Sequence, residues 1–265
     1  MPESDRVRAA AAWVFLPPSA PRVETDEYLL VRYPDWFEHP VQLVRFEPGR
    51  PADVVLGEVR DLARRYVDPA RPATAQVACW VRLDAPPAVE SAYRAAGGVL
   101  DETLDVLALD LAGADLRGLE PAGEVTLRWS EHLEVMIDAA ELDVEVFGGS
   151  AADHAALAEV HPGEVAKLRS GGGGAVVAYL HGRPIGSGGL TVTGAAARLW
   201  GGAVLPEARG RGVYRALLAA RLGYAIDHGA QLALVKGRVE TSGPILRRAG
   251  FTGHGQERSY LLGLG

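Results

Sequence analysis

The sequence is short of cysteine, lysine and long apolar runs. Its single cysteine, Cys79, has no partner within the chain, so no disulfide framework staples the fold. It sits in the apolar run QVACWV (76–81), the setting of a buried structural thiol in a reducing compartment rather than of a nucleophile. Only Lys167 and Lys236 stand against 25 arginines, the skew of a GC-rich bacterial coding sequence, which says nothing about chemistry. The arginines are scattered without a basic run, and the net charge is −7. That balance argues against nucleic acid as a partner and suits a cationic small molecule. No apolar run approaches the ~20 residues of a membrane span, so no membrane partner is expected and the default location is cytoplasmic.

With 265 residues and 48% hydrophobic residues, the chain has room for about two ordinary domains, each with a real core. Near the N-terminus, AAAAWVFL follows Arg6 and Arg8 and is crowded by Pro17, Pro18 and Pro21. Its apolar part is too short for a leader, and Trp13–Leu16 reads as a buried strand. In the C-terminal half the pattern gives helices near 131–142 and 151–160, the breaker SGGGG, and strands over 175–180, 185–193 and 196–205. A long helix to His228, a strand over 231–236, a short helix over 242–249 and a strand over 257–262 follow.

The first half repeats this order. Strands are expected over 28–33 and 41–46, a helix over 52–66 and a strand over 75–83. The segment beginning at Tyr93 aligns without a gap with the one beginning at Leu246, pairing the Ala-Gly dipeptides 96/97 and 249/250. The Ala/Gly-rich stretch 112–123 lacks periodicity and contains a proline, which places domains at 1–120 and 124–265.

Chemistry concentrates in VLPEARGRGVYRALLAARLGYA (204–225), a strand end, a tight Arg/Gly turn and a helix striped by Tyr214, Leu218, Leu222 and Ile226. The first turn of a helix carries N–H groups without intrahelical partners and the positive end of the macrodipole, so a glycine-rich lead-in forms an anion seat for phosphate or pyrophosphate. Arg209, Arg211 and Arg215 add positive charge. Alone, R-G-R-G is also the composition of a solvated turn. The first half offers FEPGRPADVV at this place, where Pro51 and Asp53 should not seat a phosphate.

Other constellations fail. His154 and His161 are too far apart for a helical metal-binding pair, so no metal is expected. IGSGG around Ser187 precedes a strand and is no nucleophile elbow, and SGGGG lacks the lysine of a phosphate loop.

Arg209, Gly210, Arg211, Gly212, Val213 and Tyr214 resemble the [QR]-x-x-G-x-[GA] pyrophosphate loop of the GNAT superfamily of acyl-CoA-dependent N-acetyltransferases, and Gly250–Phe251 resembles the Gly-Phe that closes its short helix. The resemblance implies an α/β (α+β) chain of two GNAT-like domains, each a mostly antiparallel mixed sheet flanked by helices. The second would carry the acyl-CoA site, and the first would be degenerate. It implies acetyl-CoA as cosubstrate, a small amine or peptide as acceptor, and direct attack in a ternary complex. It also implies that the backbone at Ala203 and Val204, beside Gly201 and Gly202, bonds the pantetheine arm and thioester carbonyl. Two departures stand out: Tyr214 replaces a small residue, and Leu246 stands where the family often has a tyrosine acid, whereas the first half has Tyr93 there. Glu240 is the candidate base, equally readable as a charge favouring a helix N-terminus. Glu141, Asp143 and Glu145 would attract a cationic amine or form a solvated acidic loop. A non-catalytic acyl-CoA-binding or scaffolding protein is the alternative.

Overall fold

The computed structural model describes residues 3–114, 116, 119, 125–148 and 150–265. Residues 115, 117, 118 and 120–123 of the expected boundary stretch lie outside the described residues. By its internal contacts the chain divides into two compact units, 1–106 with 237–244 and 254–265, and 107–236 with 245–253.

The first unit begins with helix α1 (Glu3–Ala12), followed by strands β1 (Arg22–Glu24), β2 (Tyr28–Arg32) and β3 (Val41–Phe46). The strand expected over Trp13–Leu16 is absent: that stretch is irregular, and the alanines before it are helical. Four consecutive alanines are the strongest helix formers, and Glu3 and Asp5 favour the helix N-terminus. Helix α2 (Ala52–Ala63) and strand β4 (Gln76–Val81) follow, then helix α3 (Pro87–Ala95) and strand β5 (Val99–Asp110). β1, β2 and β3 are antiparallel neighbours, and β3 and β4 run parallel. The last strand of the chain, β11 (Thr252–Gly263), pairs antiparallel with β4, setting Tyr260 opposite Cys79. Val55, Leu56, Val59 and Ala63 form one face of α2 and pack with Leu43, Phe46, Tyr93 and Tyr260 into an apolar core.

The second unit opens with β6 (Val125–Trp129), a strand the sequence reading missed. Helix α4 (Leu133–Phe147) runs one turn beyond its expected end. Helix α5 (His154–Arg169) continues through Pro162 and is capped by Asp153, whose carboxylate accepts from the backbone of Ala155 and Ala156 at 3.0 and 3.1 Å. Strands β7 (Ala175–Leu180), β8 (Arg183–Thr193) and β9 (Ala196–Val204) form an antiparallel meander with β6. Helix α6 (Val213–Asp227) leads to β10 (Leu232–Arg238), parallel to β9, and helix α7 (Ser242–Arg248) precedes β11.

The order three strands, helix, strand, helix, strand thus occurs twice, as β1–β3, α2, β4, α3, β5 and as β7–β9, α6, β10, α7, β11. The paired dipeptides fall at matching places, just past α3 and α7, with Gly97 and Gly250 at φ 81° and 93°. The stripe expected on α6 drifts, because a four-residue spacing gains about 40° per step on a helix of 3.6 residues per turn. Leu218 and Leu222 are buried and Ile226 is exposed, while Val213, Leu217, Arg221 and Ala225 join the buried face.

Candidate functional site

β9 ends at a short 3-10 turn, Pro206–Ala208, and the chain then turns through Gly210 and Gly212 at φ 75° and 79° before entering α6. Gly212 is the N-cap, and no side chain caps the first turn, so its N–H groups face the turn as free donors. A residue with a β-carbon would be strained at either glycine. Ala203 and Val204 are buried on β9, and Val213 is buried beneath the mouth, anchoring it to the core. Arg209, Arg211 and Arg215 are exposed around the turn, with the Arg209 Nε donating to the Val204 carbonyl at 3.3 Å. The loop residues read from the sequence therefore come together at one helix mouth. Tyr214 is half-buried, its ring lying along β9: a β-carbon on Gly202 would sit 2.9 Å from the ring.

Just before the mouth, β9 carries an extra residue. Ser187 pairs with Ala203 and Gly189 with Trp200, so Gly188 alone faces Gly201 and Gly202. This is a β-bulge, with Gly201 at φ 58°. Its two faces hold different chemistry. On the α4 face, Asp143 accepts a hydrogen bond from the Ser187 hydroxyl at 2.9 Å, and its other oxygen lies 3.5 Å from the β-carbon position of Gly201. Burial raises the Asp143 carboxyl to about 6, opposed by the Ser187 bond.

On the α6 face, Arg221 is 1% exposed, and its guanidinium lies 3.0 Å from a β-carbon built on Gly188, which explains the small residue there. The Arg221 Nη1 donates to the carbonyls of Trp200 and Gly189 at 3.3 and 3.4 Å, and its Nε donates to that of Leu217 at 3.1 Å. It thereby spans the carbonyls of the Gly189–Trp200 pair at one end of the bulge. Burial holds its pKa below the usual arginine value.

Sequence reasoning named Asp143 only within an acidic stretch and did not single out Arg221, although a signal existed for each. Asp143 follows Val135, Ala139 and Leu142 on the buried stripe of α4, and Arg221 interrupts the apolar face of α6. Glu141 and Glu145 point away: both are exposed and line a shallow groove of ≈ 270 Å³, where Glu141 meets His154 Nε2 at 3.0 Å.

Glu240 is exposed in the turn between β10 and α7 and belongs to the first unit. There it lines an open cleft of ≈ 860 Å³ with Trp80, Asp101, Glu102 and Arg238. Leu246 is fully buried in the apolar core of the second unit, as is Phe251, and Tyr93 is fully buried in that of the first. Among the described residues no cluster of His, Cys, Asp or Glu could hold a metal ion, and no helix is long and apolar enough to cross a membrane.

Comparison with known proteins gives three findings. Residues 139–248 match the family described as "Acetyltransferase (GNAT) family". No curated protein matches the sequence. Among solved structures, a GCN5-related N-acetyltransferase from Kribbella flavida superposes with TM-score 0.71 at 16% identity, covering 98% of this chain and 96% of its own. One from Sphaerobacter thermophilus gives TM-score 0.62 at 19% identity, covering 90% and 81%. A tandem GNAT protein from the clavulanic acid biosynthesis pathway gives 0.62 at 17%, covering 98% and 88%.

Proposed function

From a chain that carries a GNAT acetyltransferase domain at residues 139–248, we infer an acetyl-CoA-dependent N-acetyltransferase acting on a primary amine. The observation that carries this reading is the uncapped mouth of α6, with Gly210 and Gly212 at left-handed φ, directly after the bulged strand β9. The mouth suits a pyrophosphate: its backbone N–H groups converge, the helix dipole is positive there, and three arginines surround it. Arg211 and Arg215 have no ion-pair partner among the described residues, so their charge is available to an anion.

The chemistry that follows is direct transfer. An ammonium loses its proton, the neutral nitrogen attacks the thioester carbonyl, and backbone N–H groups beside the bulge stabilise the developing oxyanion. The C–S bond then breaks, CoA leaves as thiolate, and the acylated nitrogen gives up its remaining extra proton to that thiolate. With Leu246 buried where a tyrosine acid would stand, no tyrosine protonates it from that position. A thiolate is a tolerable leaving group, since a thiol ionises near pH ~8.5.

That missing acid also favours the rival, a protein that binds acyl-CoA without turning it over. Thiol release from acetyl-CoA across a panel of amines separates the two. Amine-dependent release supports the enzyme, and tight CoA binding without release supports the rival.

A further inference from the structure

We propose that Asp143 is the general base of the second unit, the group that takes the proton from the attacking ammonium. The proposal rests on the acetyl-transfer reading above and names the residue that reading needs.

The bulge and the mouth of α6 are bridged by one side chain, Tyr214, which belongs to the first turn of α6 and whose ring packs on Gly202. A ligand anchored at the mouth and extended along β9 therefore brings its acyl end to Gly201, and Asp143 is the carboxylate that faces Gly201. One carboxylate oxygen is held by Ser187, which fixes the group's orientation, and the other is the oxygen nearer the bulge. Among the described residues, the Asp143 oxygens are the only atoms within 4 Å of a β-carbon built on Gly201.

The surroundings leave this carboxylate free to accept a proton. On α4 itself, Glu141 is engaged by His154 from α5, Asp138 accepts from Tyr179 on β7, and Glu145 is exposed. β8 presents the neutral Ser187 and β9 presents Gly201. Burial and the Ser187 bond are the two influences on Asp143, and among the described residues no charged side chain pairs with it. Its carboxyl titrates at about 6, so it is ionised near neutrality yet basic enough to take a proton. The step balances: one ammonium N–H bond breaks and Asp143 Oδ2 gains that proton, the nitrogen lone pair forms the C–N bond as the C–S bond breaks, and the second N–H proton passes from the acylated nitrogen to the departing thiolate.

Two classes of nucleophile test this. Alkylamines such as tyramine, spermidine and glucosamine are charged at pH 7 and need a base, whereas hydroxylamine is largely neutral there and does not. For the fastest alkylamine, Asp143→Asn should lower kcat about 100-fold and abolish the rise in rate through pH 6. Its rate with hydroxylamine and its CoA affinity should hold, and its melting temperature should not fall. Ser187→Ala removes a bond that lowers the Asp143 pKa, so its rising limb should move to higher pH. If Asp143→Asn keeps both rate and limb, or if Glu240→Gln removes the limb instead, Asp143 is not the base. If wild-type protein binds CoA but acetylates neither alkylamines nor hydroxylamine, acetyl transfer itself fails and the assignment falls with it. A lower melting temperature with equal losses for both nucleophiles would assign Asp143 a structural role and overturn the proposal.

Discussion

The two strand–helix–strand units of this chain, β3–α2–β4 and β9–α6–β10, share their order and parallel pairing and differ in almost every residue that bears chemistry. α2 starts at Pro51, which lacks an N–H, with Asp53 in its first turn. α6 starts at a left-handed Gly212 ringed by arginines. The buried face of α2 is wholly apolar, whereas α6 buries Arg221 beneath a strand kinked by two glycines. A buried charge, a bulge and positive-φ turns are all costly for stability, and only the second copy carries them together. The proposed anion seat is thus a matter of turn chemistry laid over a shared architecture, and the stability cost falls in the copy that carries it.

The sharpest way to break this comparison is to separate the copies. A chain beginning at residue 124 keeps the α6 mouth but lacks β4, the ladder partner of β11. We expect it to be insoluble or unfolded on expression, and a soluble fragment that binds CoA would show that the first copy gives no support. Next in size, Gly212→Glu places a negative side chain in a left-handed N-cap at the anion seat. CoA affinity should fall by about 100-fold or more, worth roughly 3 kcal/mol, with the circular dichroism unchanged. Unaltered affinity in calorimetry would remove the loop from the site.

A smaller effect sharpens the link between cost and function. The folded-state pKa of Asp143 is raised, to about 6 from an ordinary 3.8. The folded chain therefore holds that proton more tightly than the unfolded chain. The associated stability is present below about pH 3.8 and is lost as pH rises through 6. Asn does not titrate, so Asp143→Asn should match wild type at low pH and melt a few degrees higher above pH 6. Equal melting curves at all pH values would mean that Asp143 is not desolvated. Smallest of all, Asp53→Ala should cost α2 about 0.5 kcal/mol by removing a negative charge from its N-terminus. A gain in stability would mean that α2 does not favour negative charge at its mouth.

Much of this was legible in the sequence because local rules decide it. The Gly/Arg turn, the meander and the Ala-Gly anchors at 96/97 and 249/250 all follow from turn chemistry and periodicity. The N-terminal helix escaped because Trp13–Leu16 looked like a strand, while four alanines before it obeyed helix propensity. Asp143 was not told apart from Glu141 and Glu145 because its helix was ended at Leu142, which turned an inward position of α4 into part of a loop. Glu240 drew attention as the carboxylate between β10 and the short helix, where the resemblance sets the splayed strands; it is exposed, and burial is set by tertiary structure that no local pattern encodes. The partnership of β11 with β4 is equally non-local, since Tyr260 lies 181 positions (260 − 79) from its opposite, Cys79, which carries no sequence mark that selects it.

On the proposed function, one helix mouth of the two seats the nucleotide. Calorimetric titration of the full chain with CoA tests it most directly. One equivalent bound, and none in the Gly212→Glu variant, is the predicted result. Two equivalents, or one that survives that substitution, would contradict it.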